Sequence, residues 1–239
     1  MDTITNCPTF VDLAAILSTS ASTAGSDPFG AEAQVLPVRA GSCEIFASAF
    51  SAGKGSFCES RGDCFVLVLE GELELAAGDR QVTVTQGTSA VITRGTEFSW
   101  RATAPVRLIG MRYADAPEGE GGIVAIDNQA AMSPSNPPLA ELLIGETPSC
   151  RSANQFASLD DGCFKCGVWD STPYHRRPML FRHTELMHLL EGSVSFTDAA
   201  GRTATFAKGD TFIIEQGAQC SWDSDVKVAK IYGWYRPAD

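Results

Sequence analysis

Histidine is almost missing from this chain. There are three in 239 residues, at positions 175, 183 and 188, so a metal site built on several imidazoles has few places to form. Positive charge is also short, with 18 Lys and Arg against 29 Asp and Glu and a formal net charge of −11. Residues 1–120 hold 8 basic and 15 acidic side chains (−7), and residues 121–239 hold 10 and 14 (−4). Neither half offers the basic stripe that a phosphate backbone demands, so nucleic acid is excluded as a partner. An anionic membrane surface is disfavoured for the same reason. No apolar run approaches the roughly 18 residues of a transmembrane helix. The opening MDTITNCPTFVDLAAIL has no basic leader, and Asp12 interrupts it, so a secretion signal is not expected.

The eight cysteines (7, 43, 58, 64, 150, 163, 166 and 220) are too sparse for a disulfide scaffold. They are expected to be reduced thiols in a cytoplasm. Cys163 and Cys166 make one CxxC with no second pair and no nearby His. In a strand their side chains point to opposite faces, which argues against a redox or zinc motif.

What the chain does contain is a repeat. FVLVLEGELELAAGDRQVTVTQGTSAVITRGTEFSW (65–100) parallels LMHLLEGSVSFTDAAGRTATFAKGDTFIIEQGAQCSW (186–222). Glu70-Gly71 matches Glu191-Gly192 at an offset of 121. One more residue in the turn then gives Gly87 with Gly209, Gly95 with Gly217, Trp100 with Trp222 and Tyr113 with Tyr235. Short alternating runs separated by glycine turns predict strands, and many of them predict a sandwich or small barrel. The glycines at 71, 87, 95, 192, 209 and 217 are expected in turns with positive φ or at close strand approaches.

The expected organisation is an N-terminal extension (1–29) with a short helix over FVDLAAILS, a first β domain (30–115), a Pro/Gly-rich linker (116–150) with a helical turn, and a second β domain (151–239). Exposed strands leave a homodimer open, and nothing in the sequence fixes the number of chains.

The second copy carries Glu185, Leu190-Glu191-Gly192, Gly209-Asp210, Gly217-Ala218-Gln219-Cys220-Ser221-Trp222 and Val228-Ala229-Lys230-Ile231-Tyr232. This pattern resembles the cupin group shared by EutQ-like proteins and ureidoglycine aminohydrolase cupin domains. Trp169 stands where such domains carry an early tryptophan. The resemblance implies an all-β protein of two tandem cupin jelly-roll barrels, a bicupin, with a ligand site in the barrel mouth. The general cupin pattern supplies a His pair, a Glu and a late His to one metal. Here Met179 and Phe181 stand in place of the His pair, and Cys220 in place of the late His. Copy one has Cys64 for the Glu and Phe98 for the late His, and reads as a structural copy.

Strand parity sorts RHTELMHLLEG (182–192). His183, Glu185, Met187 and Leu189 share one face, while Leu186, His188 and Leu190 share the other. His183, Glu185 and Cys220 are three candidate ligands for a divalent metal such as zinc or iron, with His175 as a loop-borne fourth. Without a metal, Glu185 as acid/base, Lys230 as its electrostatic partner and Cys220 as a thiol of lowered pKa could act on a small polar metabolite. Burial would raise the Glu185 pKa unless a cation stands close. His183, Tyr174, Trp222, Met187 and Phe212 are the expected pocket residues. Arg176 and Arg177 fall in a loop after His175, either facing an anionic substrate or solvated. Three functions stay open, because fold does not choose among them. They are an enzyme in the C-terminal barrel, a non-catalytic small-molecule binder or sensor, and a structural or assembly cupin.

Overall fold

The computed structural model describes residues 10–19, 27–30, 33–36, 43–160 and 162–237. Cys7 lies outside them. The described residues form antiparallel strands with one short helix, Leu13–Thr19, and one 3-10 turn, Ala140–Leu142. None of the helices is long and apolar enough to cross a membrane. The chain divides into two compact units.

The N-terminal unit comprises residues 14–127 with 155–166. Its six-stranded sheet runs Ile123–Ile126, Ser89–Ile92, Asp63–Glu70, Val106–Tyr113, Cys43–Phe50, Gln34–Val35. Its four-stranded sheet runs Gly53–Glu59, Thr96–Ala102, Glu72–Ala77, Arg80–Thr85. Period-two patterning is plain in Thr96–Ala102, where Thr96, Phe98, Trp100 and Ala102 are buried and the residues between them are exposed. The inward set joins Phe46, Val66 and Leu75 in one apolar core.

The C-terminal unit contains residues 128–154 and 167–237 and the strand Phe10–Asp12. Its seven-stranded sheet runs Phe10–Asp12, Thr211–Ile214, Thr184–Glu191, Val228–Tyr235, Phe164–Ser171, Cys150–Ala157, Ser133–Ser135. Its five-stranded sheet runs Leu143–Ile144, Tyr174–Leu180, Gln219–Ser224, Ser193–Thr197, Thr203–Ala207. Phe196, Phe206 and Phe212 form the aromatic heart of this unit, with Phe206 and Phe212 stacked at 3.9 Å. The architecture is the all-β jelly roll that the cupin resemblance implied, built from the short glycine-punctuated strands the sequence predicted.

All six singled-out glycines have positive φ. At Gly192 (φ 79°) a Cβ would also run into the Lys227 carbonyl oxygen, and at the matching Gly71 (φ 86°) into that of Pro105. The repeat therefore preserves a backbone approach that only glycine allows.

Three local expectations need correction. Phe10–Asp12 is a strand, not the start of a helix; Phe10 pairs with Ile214, and the helix begins at Leu13. An open sheet edge supplies backbone partners there, and Phe10 gains the rings of Phe196 and Phe206 at 6.2 and 6.4 Å. His175, Arg176 and Arg177 lie within the strand Tyr174–Leu180, not in a loop. Cys163 precedes the strand that begins at Phe164 rather than lying in it. Cys43, Cys58, Cys64, Cys150, Cys166 and Cys220 are free thiols.

Candidate functional site

The strand Thr184–Glu191 lies between Thr211–Ile214 and Val228–Tyr235. Glu185, Met187 and Leu189 project to one face, and Met187 and Leu189 enter the apolar core. His188 projects to the other face and bonds the Thr211 hydroxyl through Nδ1 at 2.8 Å. Lys230 sits opposite Leu189 in the register. Its long side chain runs along the sheet so that Nζ donates to Glu185 Oε1 at 2.8 Å.

That ammonium is enclosed. Met187 Sδ lies 3.2 Å from it, and the ring centroids of Trp169 and Trp222 lie 4.9 and 5.4 Å away. A carboxylate, a polarisable sulfur and two π faces each stabilise a desolvated cation. Glu185 is 9% exposed and Lys230 6%. The second carboxylate oxygen, Oε2, faces His183 Nε2 at 3.6 Å. The imidazole is packed against Phe181 and Trp234, with centroids 5.2 and 5.4 Å apart. The His183 side chain keeps 19% of its surface exposed, so it forms the open end of a Lys230–Glu185–His183 chain.

Burial opposes ionisation of Glu185, but Lys230 and His183 together outweigh it and hold the carboxyl down at about 2. Glu185 is therefore a fixed anion at neutral pH, not the proton donor of an acid/base pair. Cys220 is fully buried. Desolvation pushes its thiol up to about 12, and the nearby Arg176 only moderates the rise. The expected lowering by Lys230 does not occur, and Cys220 is not a nucleophile at neutral pH. Iodoacetamide at pH near 8 should label the exposed Cys58 and leave Cys220 untouched until the protein is denatured. Peptide mass spectrometry reads this directly, and native labelling of Cys220 would refute its burial.

The other expected pocket residues form walls and filling. Tyr174 is stacked on Trp222 at 5.4 Å with planes 7° apart. Trp222 donates from Nε1 to Ser224 Oγ at 3.2 Å. Met187 and Phe212 are fully buried within the core. Arg176, left undecided from the sequence, is buried within the same unit. Its Nη1 donates to the carbonyls of Arg177 and Cys220 at 3.2 and 3.3 Å.

A protein-family model for the EutQ-like cupin domain matches residues 159–232. A solved structure from Pseudomonas syringae pv. tomato str. DC3000, described as a protein of unknown function in the DUF861 family, is 32% identical. The match covers 90% of this chain and 92% of that one, with a TM-score of 0.80. The chain belongs to the DUF861 family of cupins.

More distant likenesses to this cupin concern the fold alone. A cupin 2 conserved barrel protein from Leptotrichia buccalis is 12% identical, with 95% of this chain and 96% of that chain covered and a TM-score of 0.57. A point mutant of salicylate 1,2-dioxygenase from Pseudoaminobacter salicylatoxidans is also 12% identical, with 95% and 82% covered and a TM-score of 0.59. No curated protein matches the sequence.

The cupin fold raises the question of a metal, and the donors here do not fit one. Among the described residues no group of three His, Cys, Asp or Glu side chains is placed to hold an ion. Glu185 is the natural carboxylate ligand, but its oxygens face the Lys230 ammonium and His183. His175 faces Asp223 and Asp225 at 3.4 and 3.3 Å instead of Glu185. The tentative set His183, Glu185 and Cys220 is thus not a metal site, and a covalently tethered cation already neutralises the carboxylate.

The N-terminal unit of this cupin is filled differently. Cys64, in the position of Glu185, pairs across the sheet with Arg112. Arg112 is 1% exposed. It bonds Glu59 through Nε at 3.1 Å and Nη2 at 3.0 Å, and also reaches Glu44. Arg112 Nη2 and Arg61 Nη2 both donate to the Phe29 carbonyl, at 2.9 and 2.6 Å. The Phe29 ring is buried edge-on to Phe98, the late-His position, at 5.2 Å. Arg112, Glu59 and the Phe29 ring are thus buried beside the Cys64 and Phe98 positions.

Proposed function

We propose that the C-terminal unit binds a small polar metabolite at the His183 edge and acts on it by metal-independent proton transfer. The observation that carries this reading is the Lys230–Glu185–His183 chain, with its spacings of 2.8 and 3.6 Å. A buried carboxylate fixed beside one ring nitrogen orients the imidazole and favours one tautomer, leaving the other nitrogen for a ligand. Lys230 keeps that carboxylate ionised, so Glu185 acts through His183 and not on the ligand directly. The filling of the interior by Met187, Phe212 and Trp222 favours a second reading, a cupin that binds without turnover or serves in assembly.

The test is untargeted mass spectrometry of a defined metabolite mixture incubated with wild type and with His183→Gln. The proposal expects one small polar compound to be consumed by wild type and at least about 100-fold more slowly by the variant. The melting temperature should move by less than about 2 °C, as for other partly exposed substitutions. Elemental analysis should show no stoichiometric metal. Protection of a compound without consumption would favour the binding reading, and stoichiometric metal lost in Glu185→Ala would overturn the proposal.

A further inference from the structure

Arg176 is a buried cation without an ion-pair partner among the described residues. It is 3% exposed and lies on the strand Tyr174–Leu180 beside Trp222, its register partner. Its hydrogen bonds go to the neutral carbonyls of Arg177 and Cys220 and to Tyr174. Asp223, the carboxylate that acts on it, is already engaged, as are the other carboxylates named here. Asp223 accepts from Ser221 Oγ at 2.7 Å and faces His175, and Asp198 is paired with Arg202. Glu185 is neutralised by Lys230. Lys230 thus has a carboxylate of its own, whereas no carboxylate forms an ion pair with Arg176 among the described residues. Burying a charge without a counter-charge is costly, and an anionic ligand would offset that cost. Burial also depresses the Arg176 pKa, with Tyr174, Cys220 and Asp223 opposing the fall only in part.

Phe181 connects this cation to the functional edge. The Arg176 guanidinium carbon lies 5.6 Å from the Phe181 ring centroid, and the His183 ring lies 5.2 Å from the same centroid. We propose that Arg176 anchors the carboxylate of a small anionic metabolite whose remainder lies along Phe181 toward His183. A planar guanidinium suits a carboxylate through paired hydrogen bonds, and a ligand carboxylate would give Arg176 the counter-charge that no described residue supplies. The proposal rests on the site reading above and names its ligand class.

The experiment uses acetate and its neutral isostere acetamide at constant ionic strength set with chloride. The melting temperature of the wild-type protein should rise with acetate and not with acetamide. Arg176→Gln should lose the acetate response, and Arg176→Lys should weaken it at least about tenfold, as expected when one charge-assisted bond is lost. In the absence of acetate, Arg176→Gln should melt no lower than wild type, because it removes an unbalanced charge. A merely structural arginine would give the opposite, a clear loss of stability. Equal responses to acetate and acetamide, or an acetate response that survives in Arg176→Gln, overturn the proposal. If Arg176→Gln fails to fold, the acetate–acetamide contrast in wild type and the Arg176→Lys series decide instead. His183→Gln should keep the acetate response. Acetate protection without turnover of any metabolite would leave the anchor and remove the proton-transfer reading. Turnover of a neutral compound with acetate inert would do the reverse.

Discussion

Replacing Lys230 with methionine should destabilise the protein by about 3–5 kcal/mol, the usual result of stripping one partner from a buried ion pair. Methionine keeps the length and apolar stem of lysine, so little packing is lost. What is lost is the ammonium that Glu185, Met187, Trp169 and Trp222 enclose. Glu185 would keep His183, at 3.6 Å, as a neighbour. It would then take up a proton well above its present value of about 2. The double variant Lys230→Met/Glu185→Leu should recover most of the loss, because exchanging a whole buried pair for apolar groups is often neutral or stabilising. Urea midpoints for the four proteins give a coupling of about 3 kcal/mol if the pair is buried as described. A single-variant loss below about 1 kcal/mol would mean that the pair is solvated, and the case for a tethered cation in place of a metal would fall with it.

Much of this arrangement was legible in the residue order. Period-two alternation placed Glu185 and His188 on opposite faces, and they bond Lys230 and Thr211 on the two sides of the sheet. The repeat register exposed Gly71 and Gly192 as equivalents, and both sit at the same kind of close approach. Arg176 was ambiguous because YHRRPML shows no alternation. A register irregularity between Arg176 and Met179 and the proline within that run hide the strand. Phe29 lies in a stretch rich in Ser, Thr and Gly that reads as loop, and its place depends on Arg61 and Arg112, which are 32 and 83 residues away. The pKa directions were beyond sequence reasoning for a related reason. Whether Cys220 is lowered by a cation or raised by burial depends on which wins in three dimensions, and at that position burial wins.

Acid should unfold this protein in two separable stages, and the first belongs to His188. Its ring is buried and bonded to Thr211, on the face away from Glu185. Burial lowers its pKa to about 4, with Asp210 opposing the fall only in part. An unfolded histidine takes up a proton near pH ~6.5. Between about 6.5 and 4 the unfolded chain thus binds a proton that the folded one refuses, and stability falls as pH falls. The full loss is on the order of 3 kcal/mol. Glu185 governs the lower window. Its folded value of about 2 lies below the ordinary carboxylate value near ~4.3, so its contribution is intact above that value and lost between there and about pH 2. His188→Gln keeps a bond to the Thr211 hydroxyl and removes the titration, so it should flatten the upper window and leave the lower one. Glu185→Gln should flatten the lower window alone. Urea midpoints across both windows separate the two, and an unchanged upper slope in His188→Gln would show that this imidazole is protonated in the folded protein.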